Sequence, residues 1–100
     1  MIQNIYTIHD NKADAYLPPF FLHADGMATR SFSDCIDDTE HNFARHPADY
    51  TLFKIGTFND KTAEIEYLSP HINLGNGVEY KSEQLALIKE EDDNAKQSQL

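Results

Sequence analysis

The segment His46-Pro47-Ala48-Asp49-Tyr50-Thr51-Leu52-Phe53-Lys54-Ile55-Gly56-Thr57-Phe58-Asn59 constrains the fold more than any other part of the chain. A Pro/Asp turn feeds directly into an aromatic and β-branched run that stops at a polar corner, which is the signature of a strand bounded by turn chemistry. After Asn59-Asp60-Lys61-Thr62 the stretch Ala63-Glu64-Ile65-Glu66-Tyr67 alternates with period two. The two runs, Tyr50 to Phe58 and Ala63 to Leu68, predict a hairpin. Its second strand should turn Ala63, Ile65 and Tyr67 toward a core and Glu64 and Glu66 toward water, as in a sheet with one solvated face.

Upstream, Ile2-Gln3-Asn4-Ile5-Tyr6-Thr7-Ile8 reads as a first strand ended by the turn residues His9-Asp10-Asn11-Lys12. Tyr16-Leu17-Pro18-Pro19-Phe20-Phe21-Leu22-His23 is apolar but carries two prolines, so it is expected at a sheet edge or as an extended arm. Asp25 is placed to cap a helix. Ala28, Phe32, Cys35 and Ile36 form one apolar stripe, with Arg30, Ser33, Asp34 and Asp37 facing elsewhere. The acidic run Asp37-Asp38-Thr39-Glu40 opposes the helix macrodipole, so the helix should stop near Asp37 and a loop should run to His46. Ser69-Pro70 should break the strand, leaving a loop until Val78. Ser82 could cap a short helix through Leu85, Leu87 and Ile88, and Glu90-Glu91-Asp92-Asp93 opens a stretch without core-forming residues. The expectation is a small α+β fold: an antiparallel sheet in ββαββ order with one packed helix over residues 1–78, then a marginal helix and a flexible acidic C-terminal tail over 79–100.

One core is all that 100 residues can support. Cys35 is the only cysteine, so the chain has no intramolecular disulfide and no Cys-rich metal framework. No apolar run approaches the ~20 residues of a membrane span, and the chain does not open like a secretory signal. A soluble cytoplasmic protein with no membrane partner is expected. Net charge is -9. Residues 79–100 hold six acids and three lysines, which leaves -6 on residues 1–78. Such a balance weighs against simple phosphate neutralisation of nucleic acid by a single subunit.

No chemical constellation stands out. His9, His23, His41, His46 and His71 show neither an HxxxH pair nor thiolate partners, so no metal or cofactor is expected. His46 and Asp49 more simply shape the turn before the strand. Cys35 lies on the apolar helix stripe, where a thiol is ordinarily an inert core group. Gly75-Asn76-Gly77 lacks the lysine and the strand-to-helix setting of a phosphate loop. Glu64/Glu66 and Asp37/Asp38 are explained as solvated charge, and the chain does not read as an enzyme. Single-strand DNA binders join cations to aromatic platforms. The candidate nucleic-acid-binding residues are Arg30, Arg45, Tyr50 and Lys54, with Phe53 and Phe58 beside them. Each has an ordinary structural alternative: aromatics at strand spacing are usually core, and Arg30 stands four residues before Asp34, at ion-pair distance on a helix.

Three pieces of the chain, Ile5-Tyr6-Thr7-Ile8-His9-Asp10, Ala28-Thr29-Arg30-Ser31-Phe32 and His46 to Asn59, occur in an order and spacing that resembles the small nonstructural proteins of gokushovirus-type microviruses, single-stranded DNA phages. The matching pattern is a tyrosine-bearing strand, an Ala-x-Arg-x-Phe helix, a His-x-x-Asp turn and a Leu-x-x-Ile-Gly-x-Phe strand, followed by a proline, here Pro70. The similarity spans roughly residues 2–74. It implies a non-enzymatic protein of the host bacterial cytoplasm that binds single-stranded DNA and assists the switch to single-strand genome synthesis and packaging. Arg30, His46, Asp49 and Gly56 match motif positions without an assigned chemical role, and Gly56 within a strand suggests a bulge or a close backbone approach. The first reading is a homo-oligomer whose Arg30, Arg45 and Lys54 line a shared surface, binding single strands in a salt-sensitive way. The alternative is an acidic protein-interaction adaptor that acts on phage or host replication proteins without touching DNA.

Overall fold

Two turns of the same construction frame the sheet. In the first, Asp10 Oδ1 accepts from the amides of Lys12 (3.0 Å) and Ala13 (3.3 Å), and Asp14 takes a left-handed backbone at φ 50°. In the second, Asn59 Oδ1 accepts from the amides of Lys61 (2.9 Å) and Thr62 (3.3 Å), and Ala63 is left-handed at φ 63°. Asp and Asn serve here because a short side-chain acceptor satisfies the amides that a reversing chain exposes.

The computed structural model describes residues 1–81. Its strands are β1 (Ile2–Asp10), β2 (Ala15–Tyr16), β3 (Phe20–Leu22), β4 (Tyr50–Asn59) and β5 (Ile65–Asn76), and its helices are α1 (Asp25–Asp37) and α2 (Asn42–Arg45). All pairing is antiparallel, in the order β2-β1-β4-β5, with β3 also on β1. The fold is α+β, as expected. The proline-bearing segment lies on the sheet edge, but as two short strands: β2 pairs with the end of β1, β3 with its middle, and Pro18-Pro19 spans the gap.

Tyr6 and Ile8 of β1 and Leu52 of β4 meet Ala28, Phe32 and Ile36 of α1 and Phe43 of α2 in the core. These side chains are buried, and Cys35 of the same helical stripe is half-buried. Burial of Phe32 alone contributes roughly 2–3 kcal/mol of hydrophobic free energy. Helix α1 ends at Asp37, where the sequence places its end.

Several expectations are corrected. Ala24, not Asp25, occupies the N-cap, without a side-chain cap bond, and Asp25 is the first helical residue. The stretch from Asp38 to Tyr50 is not a plain loop. His41 Nδ1 accepts from the Phe43 amide at 3.1 Å and starts α2, and a 3-10 turn covers Pro47–Asp49. The His46/Asp49 turn is closed by the main chain, the Asp49 amide donating to the His46 carbonyl at 3.0 Å.

Pro70 does not end the second strand of the hairpin. β5 continues to Asn76, because an outer strand needs ladder bonds on one side only and a bulge absorbs the proline. Between the pairs Lys54–Ile72 and Gly56–Tyr67, Ile55 alone stands across from residues 68–71, and the Ser69-Pro70 bond is cis. Helix begins at residue 77, ahead of Ser82, and Tyr80 extends the packed core past residue 78: its ring lies 5.2 Å from Phe32 and its hydroxyl donates to the Leu74 carbonyl at 2.6 Å. The expected helix from Ser82 and the acidic tail lie outside the described residues.

Gly56 is a close-approach residue, as its place in a strand suggests. A Cβ there would lie 2.5 Å from the Glu66 carbonyl oxygen. The β1–β4 register also shifts at this point, between Ile5 and Tyr6. Gly75, in β5 rather than in a loop, has φ 128°, a backbone that side-chain-bearing residues rarely adopt.

Candidate nucleic-acid interface

Strand alternation gives the sheet two unlike faces. Tyr6, Ile8, Leu52 and Lys54 point to the helices. The intervening residues point away, to a face without a helix over it among the described residues.

On that open face lies a cluster of rings. Tyr16 stands edge-on to His9 (4.7 Å between centroids), Phe53 (6.2 Å) and His71 (5.9 Å), and His71 in turn meets Phe53 (6.2 Å) and Tyr67 (5.3 Å). The bulge in β5 brings Tyr67 and His71 together, so that Tyr67 Oη and His71 Nε2 share a 2.7 Å hydrogen bond. Farther along the same face Phe21 of β3 packs edge-on against Phe58 of β4 at 5.7 Å. Tyr67 is 70% exposed, Tyr16 52% and Phe21 44%, so their ring surfaces are open to a ligand. Beneath them Ile5 and Thr7 are buried, Thr7 Oγ1 donating to the Leu17 carbonyl at 2.6 Å, which gives the rings a rigid floor.

This arrangement overturns one expectation. Ile65 and Tyr67 do not enter the core; they are the most exposed large apolar side chains of β5. The alternation was legible, but α1 covers the other face of the sheet and only part of its length.

The candidate residues drawn from the sequence are spread over the helix-bearing side. Arg30 is exposed on α1 and makes no ion pair with Asp34. Arg45, at the end of α2, reaches Glu40 at 3.9 Å. Tyr50 packs on Phe43 at 4.3 Å, and burial, followed by the charges of Asp10 and Asp49, pushes its phenol up. Lys54 Nζ lies 3.5 Å from Asp25 Oδ1 with its side chain 18% exposed. No hydrogen bond, ion pair or ring contact joins any two of the four. Of the aromatics named beside them, Phe53 and Phe58 belong to the open face, where Tyr16, Phe21, Tyr67 and His71 join them. Their signal is faint in a linear reading, because positions 16, 53 and 71 become neighbours only through the sheet.

Cys35 lines an apolar cavity of about 200 Å³ with Ile8, Phe20, Ser31 and Phe32. Burial raises its thiol, and Asp34 and Asp38 add to the effect, so the geometry offers no thiolate. Among the described residues no three His, Cys, Asp or Glu side chains are grouped to hold a metal ion, and no helix is long and apolar enough to cross a membrane.

A family model described as Phage ORF5 protein matches residues 3–80. The chain belongs to that family. The match begins in β1 and ends at Tyr80, so in this Phage ORF5 protein the family-defining segment coincides with the sheet, its helices and the ring that closes over Phe32. No curated protein and no solved structure matches the chain.

Proposed function

We propose that this phage protein is a non-enzymatic, single-stranded-DNA-associated factor that assists the switch to single-strand genome synthesis and packaging in the host cytoplasm. The observation that carries the reading is the open aromatic sheet face. Flat rings on a rigid sheet give unpaired bases stacking surfaces, and duplex DNA, whose bases are already stacked, cannot use them. Family membership supports the phage setting, and the resemblance to gokushovirus nonstructural proteins supports the DNA role.

Fluorescence anisotropy with labelled single- and double-stranded oligonucleotides, run beside light scattering for subunit count, tests it. Binding of single strands only, weakened by Tyr16→Ala and unaffected by Arg30→Ala with Arg45→Ala, is the expected result. Absence of a signal with either oligonucleotide overturns it. One observation favours a second reading, an acidic adaptor for replication proteins: the net charge of -9 disfavours any polyanion. That reading predicts a stable protein complex and no DNA shift at any salt concentration.

A further inference from the structure

The five strands contain one Lys or Arg between them, Lys54, and it points to the helix side, where Asp25 holds it. Lys12 and Lys61 lie in the turns at the ends of the sheet, and Arg30, Arg45 and Lys81 lie among the helices or follow them. On the aromatic face itself the ionisable nitrogens, among the described residues, are those of His9 and His71. His9 Nε2 faces Asp14 at 3.5 Å, and His71 Nε2 is engaged by Tyr67. The strand carboxylates are also absent from the rings: Asp10 closes its own turn, and Glu66, opposite Thr57, points to the other side of the sheet.

Among the described residues this surface has many rings and no lysine or arginine, with an acidic protein behind it, so it gains nothing from phosphates and is repelled by them. Resting on the single-strand reading, we infer that the face recognises the bases and not the backbone: its ligand is a run of unpaired bases, held by stacking, and a strand without backbone charge binds tighter than DNA. The two ring groups divide the work. Tyr16, Phe53, Tyr67 and His71 form one platform. Phe21 and Phe58 form a second, in register with Ile5 and Gln3 of β1, whereas Tyr16 is in register with His9 and Phe53 with Thr7.

This mode differs from the usual one in its salt response. A binder that neutralises several phosphates loses affinity by orders of magnitude between about 50 and 200 mM salt. Here the unfavourable term is repulsion between the acidic protein and the strand, which salt screens, so affinity for DNA should hold steady or rise.

The test uses the full chain and three labelled probes of equal length, about twelve units: thymidine DNA, an abasic DNA strand and a thymine oligomer on a neutral peptide backbone. Anisotropy titrations at low and moderate salt should show the neutral oligomer binding more tightly than DNA at low salt, and the abasic strand at least about tenfold more weakly than DNA. Tyr16→Ala and Tyr67→Ala, at exposed positions, should each weaken binding to both base-bearing probes by about 5- to 100-fold. An abasic strand that binds as well as DNA, with loss of the neutral oligomer, overturns the inference and leaves the single-strand reading standing. No binding of thymidine DNA or of the neutral oligomer at any salt overturns both.

Discussion

Tyr6 Oη donates a 2.6 Å hydrogen bond to Asp25 Oδ1, the oxygen that Lys54 Nζ approaches at 3.5 Å. A hydroxyl from β1 and an ammonium from β4 thus converge on the first residue of α1. The contact fixes where the helix starts on the sheet, and it occupies Asp25 in place of a cap.

Tyr6→Phe keeps the ring and removes the donor. A hydrogen bond to a charged acceptor is worth about 1.5–3 kcal/mol, and Lys54 still attends Asp25, so a loss near 1–2 kcal/mol is expected. Urea denaturation at neutral pH measures it. A variant as stable as the parent would show that the bond adds nothing to folding.

The same tyrosine gives the fold an alkaline limit. Burial, then the hydrogen bond to Asp25, pushes its phenol up to about 12 from 10.0. Because the folded state holds this proton more tightly, the associated stability is complete below pH 10 and is lost as pH rises toward 12, on the order of 2 kcal/mol. Tyr50 and Cys35, both raised chiefly by burial, act in the same sense. Unfolding free energy followed from pH 9 to 12 should therefore fall less steeply in Tyr6→Phe than in the parent protein. Identical slopes would remove Tyr6 as the cause.

Gly56→Ala should destabilise by roughly 2–3 kcal/mol, since its Cβ would meet the Glu66 carbonyl and the strands would have to separate. Hydrogen exchange should show the damage in the amides near Glu66 and Tyr67 first. Unaltered exchange there would mean that β4 and β5 are not so close.

Phe32→Ala removes the ring that Phe43 (5.8 Å) and Tyr80 (5.2 Å) pack against. A loss of about 3–5 kcal/mol is expected, enough to unfold a domain this small under mild conditions. Thermal unfolding followed by circular dichroism should show a large drop in Tm.

Much of this fold was legible because its signals are local. Ala28, Phe32 and Ile36 recur at helical spacing, Ile2 to Ile8 and Tyr50 to Phe58 carry strand residues between turn residues, and Gly56 sits where a side chain has no room. What escaped depends on partners distant in sequence. Asp25 resembles a cap until Tyr6 and Lys54 are seen to claim it. Pro70 resembles a terminator until β5 proves to be an outer strand with a bulge. Ile65 and Tyr67 alternate as a buried set would, and only the position of α1 decides that they do not lie beneath it. The ring cluster is hardest to foresee, since its members come from β1, β2, β4 and β5 and no short window contains two of its platform residues except Tyr67 and His71.

The outer rim of β5 has a consequence for crowding. A long strand bearing Ile65 and Ile72 at its border is ordinarily a template on which further copies add edge to edge. Here the row of amides is interrupted where residues 68–71 swing out of line and Pro70 has no hydrogen to offer, so an incoming strand finds no continuous partner. A small protein can in this way keep greasy side chains at its margin without seeding fibres.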